Sequence, residues 1–178
     1  MTTFNKISAA NAQARFAPFG IRKMAAAGAL MAGMAFVPAA MADWTFGVNA
    51  GKMMIDVDGV DDPTNAGVVI GKEWGVVFGD AAVEAEFTTS IDDGSFLGND
   101  VNVNTQAIYG AIRTAGPVYV IGRLGLLREE VEIGSVSDSD TGVSAGIGVG
   151  FSVGLAQLEL QYTLVEEDIS YLSVGVRF

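Results

Sequence analysis

The 178-residue sequence contains no cysteine and no histidine, and only four prolines. Without cysteine there are no disulfides and no thiolate metal sites. Without histidine there is no Ser-His or Cys-His nucleophile and no imidazole metal ligand. We therefore expect a non-enzymatic protein with no catalytic, cofactor-binding or metal-binding residues.

Basic residues are scarce after residue 42. That part of the chain holds six Lys and Arg residues and all 21 acidic residues, so its net charge is about −15. Neutralising nucleic-acid phosphates requires Lys and Arg, and the sequence contains no basic cluster. Nucleic acid is therefore excluded as a partner.

The first 42 residues contain no acidic residue and have the layout of an export signal. The apolar stretch 24–37 follows the basic pair Arg22-Lys23 and precedes a small-residue site that ends at Ala42. Its length is too short to span a bilayer comfortably as a helix, which disfavours a membrane anchor or a buried helix. We predict a signal peptide over residues 1–42, cleaved after Ala42, and one domain over residues 43–178.

Long hydrophobic runs are also missing after residue 42, although mean hydropathy is +0.38. Spanning a bilayer as a helix takes about 20 apolar residues, and no run approaches that length. The dominant period is two, which predicts strands. We predict eight of them, over residues 44–54, 66–77, 81–90, 101–113, 118–128, 143–153, 157–164 and 169–178.

Two of these segments alternate without interruption. Residues 157–164 place leucines and Tyr162 on one face and polar residues on the other, and residues 143–153 oppose apolar side chains to Gly and Ser. The connections also alternate in character. Segments 56–65, 91–100 and 129–141 are predicted as long acidic loops, whereas 114–117 and 154–156 are predicted as tight turns.

A soluble eight-stranded barrel around a ligand, as in lipocalins, would turn its apolar face inward. The small Gly and Ser residues of the polar face instead suit a narrow lumen, which favours an apolar face turned outward to lipid. Aromatic residues near the predicted strand ends are then expected to form interfacial girdles: Trp44, Trp74, Tyr109, Tyr162 and Phe178.

The mature chain resembles the small outer-membrane β-barrels of the OmpA-transmembrane-domain and OmpX type, within the porin family of barrel domains. The resemblance rests on VSAGIGVGF, QLELQYTL and YLSVGVRF, the last ending at Phe178. It implies an all-β, eight-stranded antiparallel up-and-down barrel in the bacterial outer membrane. It also implies a C-terminal signal for the barrel-assembly machinery, with these residues on one face: Leu172, Val174, Val176 and Phe178. The peptidoglycan-binding domain that follows the barrel in full-length OmpA proteins is not expected.

One predicted strand carries a charge on its apolar face. Strict alternation from Ala66 places Lys72 toward lipid, which costs about 2 to 4 kcal/mol near the bilayer midplane. A β-bulge at Lys72-Glu73, next to Gly71, would turn both charges inward. We therefore predict a bulge there.

Charged residues on the inward face are expected to pair, because buried charges need partners. The predicted luminal network comprises Glu84, Glu86, Arg123, Glu159 and Arg177, with Gln106, Gln157, Gln161 and Tyr171 nearby. Two alternatives remain. Glu84 and Glu86 have a spacing that would suit glycoside hydrolysis, and the network would suit a gate for ions or very small solutes.

Clustered loop carboxylates attract hard cations such as Ca²⁺, and residues 56–62 (DVDGVDD) superficially resemble a calcium loop. Gly59 falls two places too early for an EF-hand, and no closing Glu follows. The expectation is therefore an acidic rim, facing outside the cell, that associates loosely with divalent cations and lipopolysaccharide.

The sequence thus predicts a non-enzymatic barrel with a plugged polar lumen and a role in envelope integrity or surface interaction. Its predicted partners are outer-membrane lipid, lipopolysaccharide and the assembly machinery. The alternatives are a low-conductance channel for ions, small solutes or apolar molecules and, less favoured, a His-independent barrel enzyme.

Overall fold

The computed structural model describes residues 43–56, 59–96, 98–133, 136–166 and 168–178. The predicted signal peptide and its cleavage after Ala42 lie outside the described residues. The described residues form nine strands: β1 Asp43–Ile55, β2 Thr64–Val76, β3 Gly79–Asp92, β4 Gly94–Phe96, β5 Asn99–Thr114, β6 Val118–Ile133, β7 Val136–Val153, β8 Ala156–Leu164 and β9 Ile169–Arg177. No helix among them is long and apolar enough to cross a membrane.

Eight of these described strands close into an antiparallel barrel. Sequential neighbours pair from β1 to β3, β3 pairs with β5, and pairing continues from β5 to β9. The seam between β1 and β9 closes the sheet, and Phe46 and Phe178 exchange backbone hydrogen bonds of 3.1 and 2.8 Å there. The prediction of an eight-stranded up-and-down barrel is confirmed.

The two ends of the barrel differ. At one end, here called the turn end, tight turns join β2 to β3, β5 to β6 and β7 to β8. The opposite end is called the loop end. There the short strand β4 pairs with the start of β5, and Asp61 N donates to Ser95 O at 2.9 Å, linking two connections.

The predicted acidic loop over residues 129–141 is wrong. The β6–β7 ladder continues without a break to the pair Ile133↔Val136, so most of that segment is strand. Val131 and Ile133 alternate with acidic residues, and such a pattern builds a strand as readily when one face is solvated. The β5, β6 and β7 strands therefore project as a sheet beyond the shorter β8 and β9.

The outer face of the barrel is apolar. Its side chains include Phe46, Val48, Ile70, Phe87, Ile108, Val120, Ile147, Val149, Leu160, Leu164 and Val174, all of them exposed. A contiguous apolar surface around a closed sheet is the surface of a barrel that spans a membrane. This apolar belt ends toward the loop end beside Leu126 and Val143, because the next outward residues are Arg128 and Thr141.

Lys72 lies on this outer face, and the predicted bulge is wrong. The register is regular there: Lys72 pairs with Trp44 and with Val83, and Glu73 pairs with Ala82. The Lys72 ammonium lies 5.6 Å from the centroid of the Trp44 ring, near the turn end. Placing a lysine over an indole ring at the edge of the belt costs less free energy than placing one at the bilayer midplane. Because the alternation is regular, Glu73 faces the lumen and Lys72 does not.

Strand β5 has the opposite facing to the one predicted. Tyr109 is fully buried in the lumen, so its assignment to an interfacial girdle is wrong. Gln106 is exposed on the outer face, so it does not lie near the luminal network. The same parity turns Arg113 inward. The other four predicted girdle residues lie on the outer face, with Trp44 and Phe178 64% and 65% exposed.

Candidate functional site

Seven charged side chains meet inside the barrel, in the half nearer the turn end. They are here called the luminal ion network: Glu73, Glu84, Glu86, Arg113, Arg123, Glu159 and Arg177. Six are almost fully buried, and only Glu73 is partly exposed. Four carboxylates against three guanidinium groups leave one net negative charge, so most of the burial cost is offset by pairing.

Arg113 links three carboxylates of this network. Its Nη2 lies 2.8 Å from Glu84 Oε1 and its Nε donates to Glu159 Oε1 at 2.9 Å. Its Nη1 is 3.8 Å from Glu73 Oε2. Because β5 carries Arg113 and the three acids come from β2, β3 and β8, this side chain ties opposite walls of the barrel together.

Arg123 holds a second group nearer the loop end. Its Nη1 and Nη2 donate to the two oxygens of Glu86 at 2.7 and 3.3 Å. Such a two-point contact is among the stronger protein ion pairs. Its Nε donates to Thr163 Oγ1 at 3.2 Å, and the guanidinium lies 4.3 Å from the centroid of the Tyr109 ring. Every face of this cation therefore has a partner.

Arg177 completes the network at the seam. It forms an ion pair with Glu73, and its Nη1 lies 3.5 Å from Glu84 Oε1. Its Nε donates to Gln157 Oε1 at 2.9 Å. The Tyr119 hydroxyl donates to Glu159 Oε1 at 3.0 Å.

The structure brings the predicted residues Glu84, Glu86, Arg123, Glu159 and Arg177 into one cluster. The neighbours predicted for it are placed as follows: Gln157 beside Arg177, Gln161 donating to Glu159 at 2.7 Å, and Tyr171 donating to Asn49 at 3.3 Å. Sequence reasoning missed Arg113, Glu73 and Tyr119. The signal for Arg113 was its shared parity with the small inward residues Ala107 and Ala111 on β5.

Glycines supply the space that the large luminal side chains occupy. A Cβ on Gly150 would lie 2.1 Å from Cζ of Tyr119, and one on Gly146 would lie 2.9 Å from Cγ of Arg123. The two residues alternate on the inward face of β7, which explains why that face is small. The glycine-rich pattern therefore makes room for side chains from β6.

An apolar layer fills the lumen above the ion network, toward the loop end. This apolar plug consists of Met53, Val103, Ala107, Tyr109, Leu127, Val165, Ile169 and Tyr171. Below it, the cavity among Asn49, Glu84, Arg113 and their neighbours has a volume of only about 20 Å³. That is room for about one water molecule. The ion network and the apolar plug therefore lie in succession along the described part of the lumen.

Catalysis by the Glu84 and Glu86 pair has no support in this geometry. Glu84 lies against Arg113 and Arg177, and Glu86 is held by Arg123 and accepts from Asn49 Nδ2 at 3.3 Å. General acid and base groups need access to a substrate. Both carboxylates are instead buried and occupied.

Aspartates of the described loop end accept hydrogen bonds from neighbouring residues. Asp62 Oδ1 accepts from Ile55 N at 3.0 Å, and Asp61 Oδ2 accepts from Ser95 Oγ at 2.6 Å. Val57 and Asp58 of the sequence resembling a calcium loop, and Glu167, lie outside the described residues. Within the described ranges, no group of three or more acidic side chains has positions that would hold a metal ion.

Comparison with known proteins finds similar solved structures. No family model and no curated protein matches the chain. Neisserial surface protein A is similar with a TM-score of 0.52 at 16% identity, over 76% of this chain and 97% of that one. Ail of Yersinia pestis gives 0.48 at 18% identity, over 77% and 97%. The N-terminal barrel domain of Pseudomonas aeruginosa OprF gives 0.44 at 15%, over 75% and 97%. The likeness to Neisserial surface protein A, together with the closed sheet and its apolar outer face, shows that the chain has the fold of that small eight-stranded outer-membrane barrel.

Proposed function

We propose that this protein is a non-enzymatic structural barrel of the bacterial outer membrane, which serves envelope integrity or surface interaction. The observation that carries the proposal is the packing of side chains in the lumen. An ion network and an apolar plug fill it in succession, and both consist of side chains fixed to strands. An eight-stranded barrel has an interior just wide enough for side chains, so a filled interior is its stable state.

The outer face supports placement in a lipid bilayer. A barrel satisfies its backbone hydrogen bonds between strands, which is what the hydrocarbon core requires. Leu172, Val174 and Phe178 are exposed along one face of the last strand. With Val176, they are the proposed recognition signal for the barrel-assembly machinery, and outer-membrane lipid and lipopolysaccharide are the proposed neighbours of the belt.

The acidic loop end is proposed to face outside the cell. Of the six basic residues after residue 42, only Lys52 and Arg128 lie there. The other four lie in the barrel wall or lumen: Lys72, Arg113, Arg123 and Arg177. An acidic rim repels polyanions and gathers divalent cations loosely. We propose that these cations bridge the rim to lipopolysaccharide phosphates.

Planar-bilayer recordings test whether these side chains close the lumen. We expect no discrete conductance steps from the purified wild-type protein, and we expect steps from a variant in which both layers are opened by Tyr171→Ala, Leu127→Ala and Arg123→Ala together. The outward-facing pair Leu158→Ala and Leu160→Ala is the matched control and is expected to stay silent. Steps from the wild-type protein would contradict the proposal.

The envelope role has a separate test. A strain that lacks the protein is expected to become more sensitive to chelators and detergents, and the silent control variant is expected to restore resistance. Unchanged sensitivity in the deletion strain would count against a role in envelope integrity and leave surface interaction as the proposed role.

A low-conductance channel is the second candidate. The observation in its favour is the charged cavity beside Glu84, Arg113 and Arg123. A gate there would open when Arg123 leaves Glu86. Arg123→Ala would then raise conductance above that of the wild-type protein, whereas a purely structural network predicts lower stability and no conductance from either.

A further inference from the structure

The barrel wall has a gap at the loop end, beside β7. The ladder between β7 and β8 ends at the pair Ala145↔Leu164, although β7 continues to Val136. In the described chain, no strand pairs with that side of β7 over residues 136–144. A short turn after β8 folds across the base of the gap, where Val165 N and Glu166 N both donate to Ile169 O.

A cavity of about 180 Å³ occupies this gap. Its apolar walls come from two faces of the barrel. Val143, Ala145 and Leu164 belong to the outward belt, whereas Leu127 and Val165 belong to the apolar plug. The remaining side chains of the lining are acidic: Glu129, Asp140 and Glu166. The cavity therefore has apolar walls and a negatively charged rim.

Glu129 is the unusual group in this cavity. It is only 5% exposed, and its Oε2 has no hydrogen-bond partner in the part of the chain that the structure describes. Among the described residues, no Lys or Arg forms an ion pair with it. Asp140 is its direct partner across the β6–β7 ladder, an arrangement of like charges that destabilises a sheet.

The pKa of the Glu129 carboxyl is raised to about 8. Burial is the largest cause, followed by the neighbouring Glu166 carboxylate and the charges of Asp140 and Asp138. Glu129 lies beyond Arg128, outside the apolar belt. A buried carboxyl in acidic surroundings needs either a proton or a cation from outside the chain.

We propose that this cavity binds an alkylammonium group, with its charge between Glu129 and Glu166 and its carbon chain against Val143, Ala145 and Leu164. The apolar walls disfavour a hydrated metal ion, which keeps its water and takes oxygen ligands all round. The carboxylates repel a phosphate or carboxylate group from the position between them. An ammonium on an aliphatic chain satisfies both halves of the cavity.

The ammonium has two possible sources, an amine-bearing lipid headgroup or a free amphiphilic amine. The outward-facing wall favours lipid, because Leu164 and Val143 are continuous with the belt. This source rests on the proposed insertion in a membrane. Binding of a soluble amine in detergent micelles does not, so the two ideas fail separately.

The first experiment is calorimetric titration of the purified protein in detergent micelles with hexylammonium, using hexanol and hexanoate as ligand controls. We expect saturable binding of the amine alone. Glu129→Gln and Glu166→Gln should each raise its Kd by about tenfold or more, since a charge-assisted contact is lost. Glu130→Gln, on the opposite face of β6, is the matched control and should leave Kd unchanged. Retained heat-modifiable gel mobility shows that each variant is folded.

The second experiment identifies the source through the methyl NMR signals of Leu164 in nanodiscs. A shift when phosphatidylethanolamine is added to phosphatidylcholine, absent in Glu129→Gln, assigns the site to a lipid headgroup. A shift with hexylammonium alone assigns it to a free amine. The proposal is overturned if the amine shows no saturable binding, or if its Kd is the same in the wild-type protein and both Gln variants. It is also overturned if Ca²⁺ or Mg²⁺ binds more tightly than the amine and both variants abolish that binding.

Discussion

Replacing Arg113 by Gln should destabilise the barrel more than any change on its surface. The side chain is buried and lies within 2.9 Å of both Glu84 and Glu159, and 3.8 Å from Glu73. Without it, four luminal carboxylates face two guanidinium groups. Leaving a buried charge without its partner costs about 3 to 5 kcal/mol, and we expect a loss of that size in the free energy of unfolding.

A second substitution separates charge from packing. Glu84→Gln added to Arg113→Gln restores the luminal charge to one net negative, as in the wild-type network. The double variant should therefore recover about 1 to 3 kcal/mol relative to the sum of the two single changes. Arg128→Gln, an exposed arginine with no ion pair among the described residues, is the matched control and should change stability by less than about 0.5 kcal/mol.

Urea titration in lipid vesicles measures these free energies, with tryptophan fluorescence and unboiled gel mobility as two independent readings of folding. The reasoning is refuted if Arg113→Gln unfolds at the wild-type urea concentration. It is equally refuted if adding Glu84→Gln deepens the loss, because the network would then contribute shape and not charge balance.

The remaining predictions concern other parts of the barrel. Because the pKa of Glu129 is raised on folding from 4.5 to about 8, its contribution to stability is complete below pH 4.5 and is lost as pH rises toward 8. Wild-type stability should thus fall by about 3 to 4 kcal/mol between pH 5 and 8, while Glu129→Gln should remove most of that slope; an equal slope in both would contradict it. Gly150→Val should lower the free energy of unfolding by about 1 to 3 kcal/mol, because the new side chain would overlap Tyr119. Gly142→Val is the control, since Gly154→Val would also strain a turn conformation. Val149→Arg, in the belt, should cost about 2 to 4 kcal/mol in urea titrations and Lys72→Met should cost nothing, and equal costs would refute the assignment of the belt.

Period-two alternation was enough to predict the barrel, its apolar exterior and most strand positions. It holds because a one-residue slip would exchange lipid-facing and luminal side chains along a whole strand. It failed on β5, where the inward face carries Val101, Val103 and Tyr109 above Arg113. Apolar residues that line a plug are indistinguishable in sequence from apolar residues that face lipid. One inverted strand accounts for the errors at Gln106, Tyr109 and Arg113.

The other errors arose from pairing, which no single strand encodes. Lys72 was predicted to turn inward because a lysine that faces lipid is costly near the bilayer midplane, whereas Trp44 reaches it from β1 on the outer face. The acidic segment after Arg128 was interpreted as a loop because its charges outweighed Val131 and Ile133. The cavity at Glu129 exists because β7 extends beyond the end of β8. That difference in length appears only when the two strands are paired.

The seam between β1 and β9 couples closure of the sheet to the pairing of charges in the lumen. Phe46 and Phe178 hydrogen-bond to each other from opposite ends of the described chain, so the sheet is closed only when β1 and β9 pair. While the seam is open, β1 offers an unpaired edge, which invites pairing with any other exposed strand. Arg177 lies on β9, so its ion pairs with Glu73 and Glu84 need the same closure. Closing the ring and completing the luminal ion network are therefore one event.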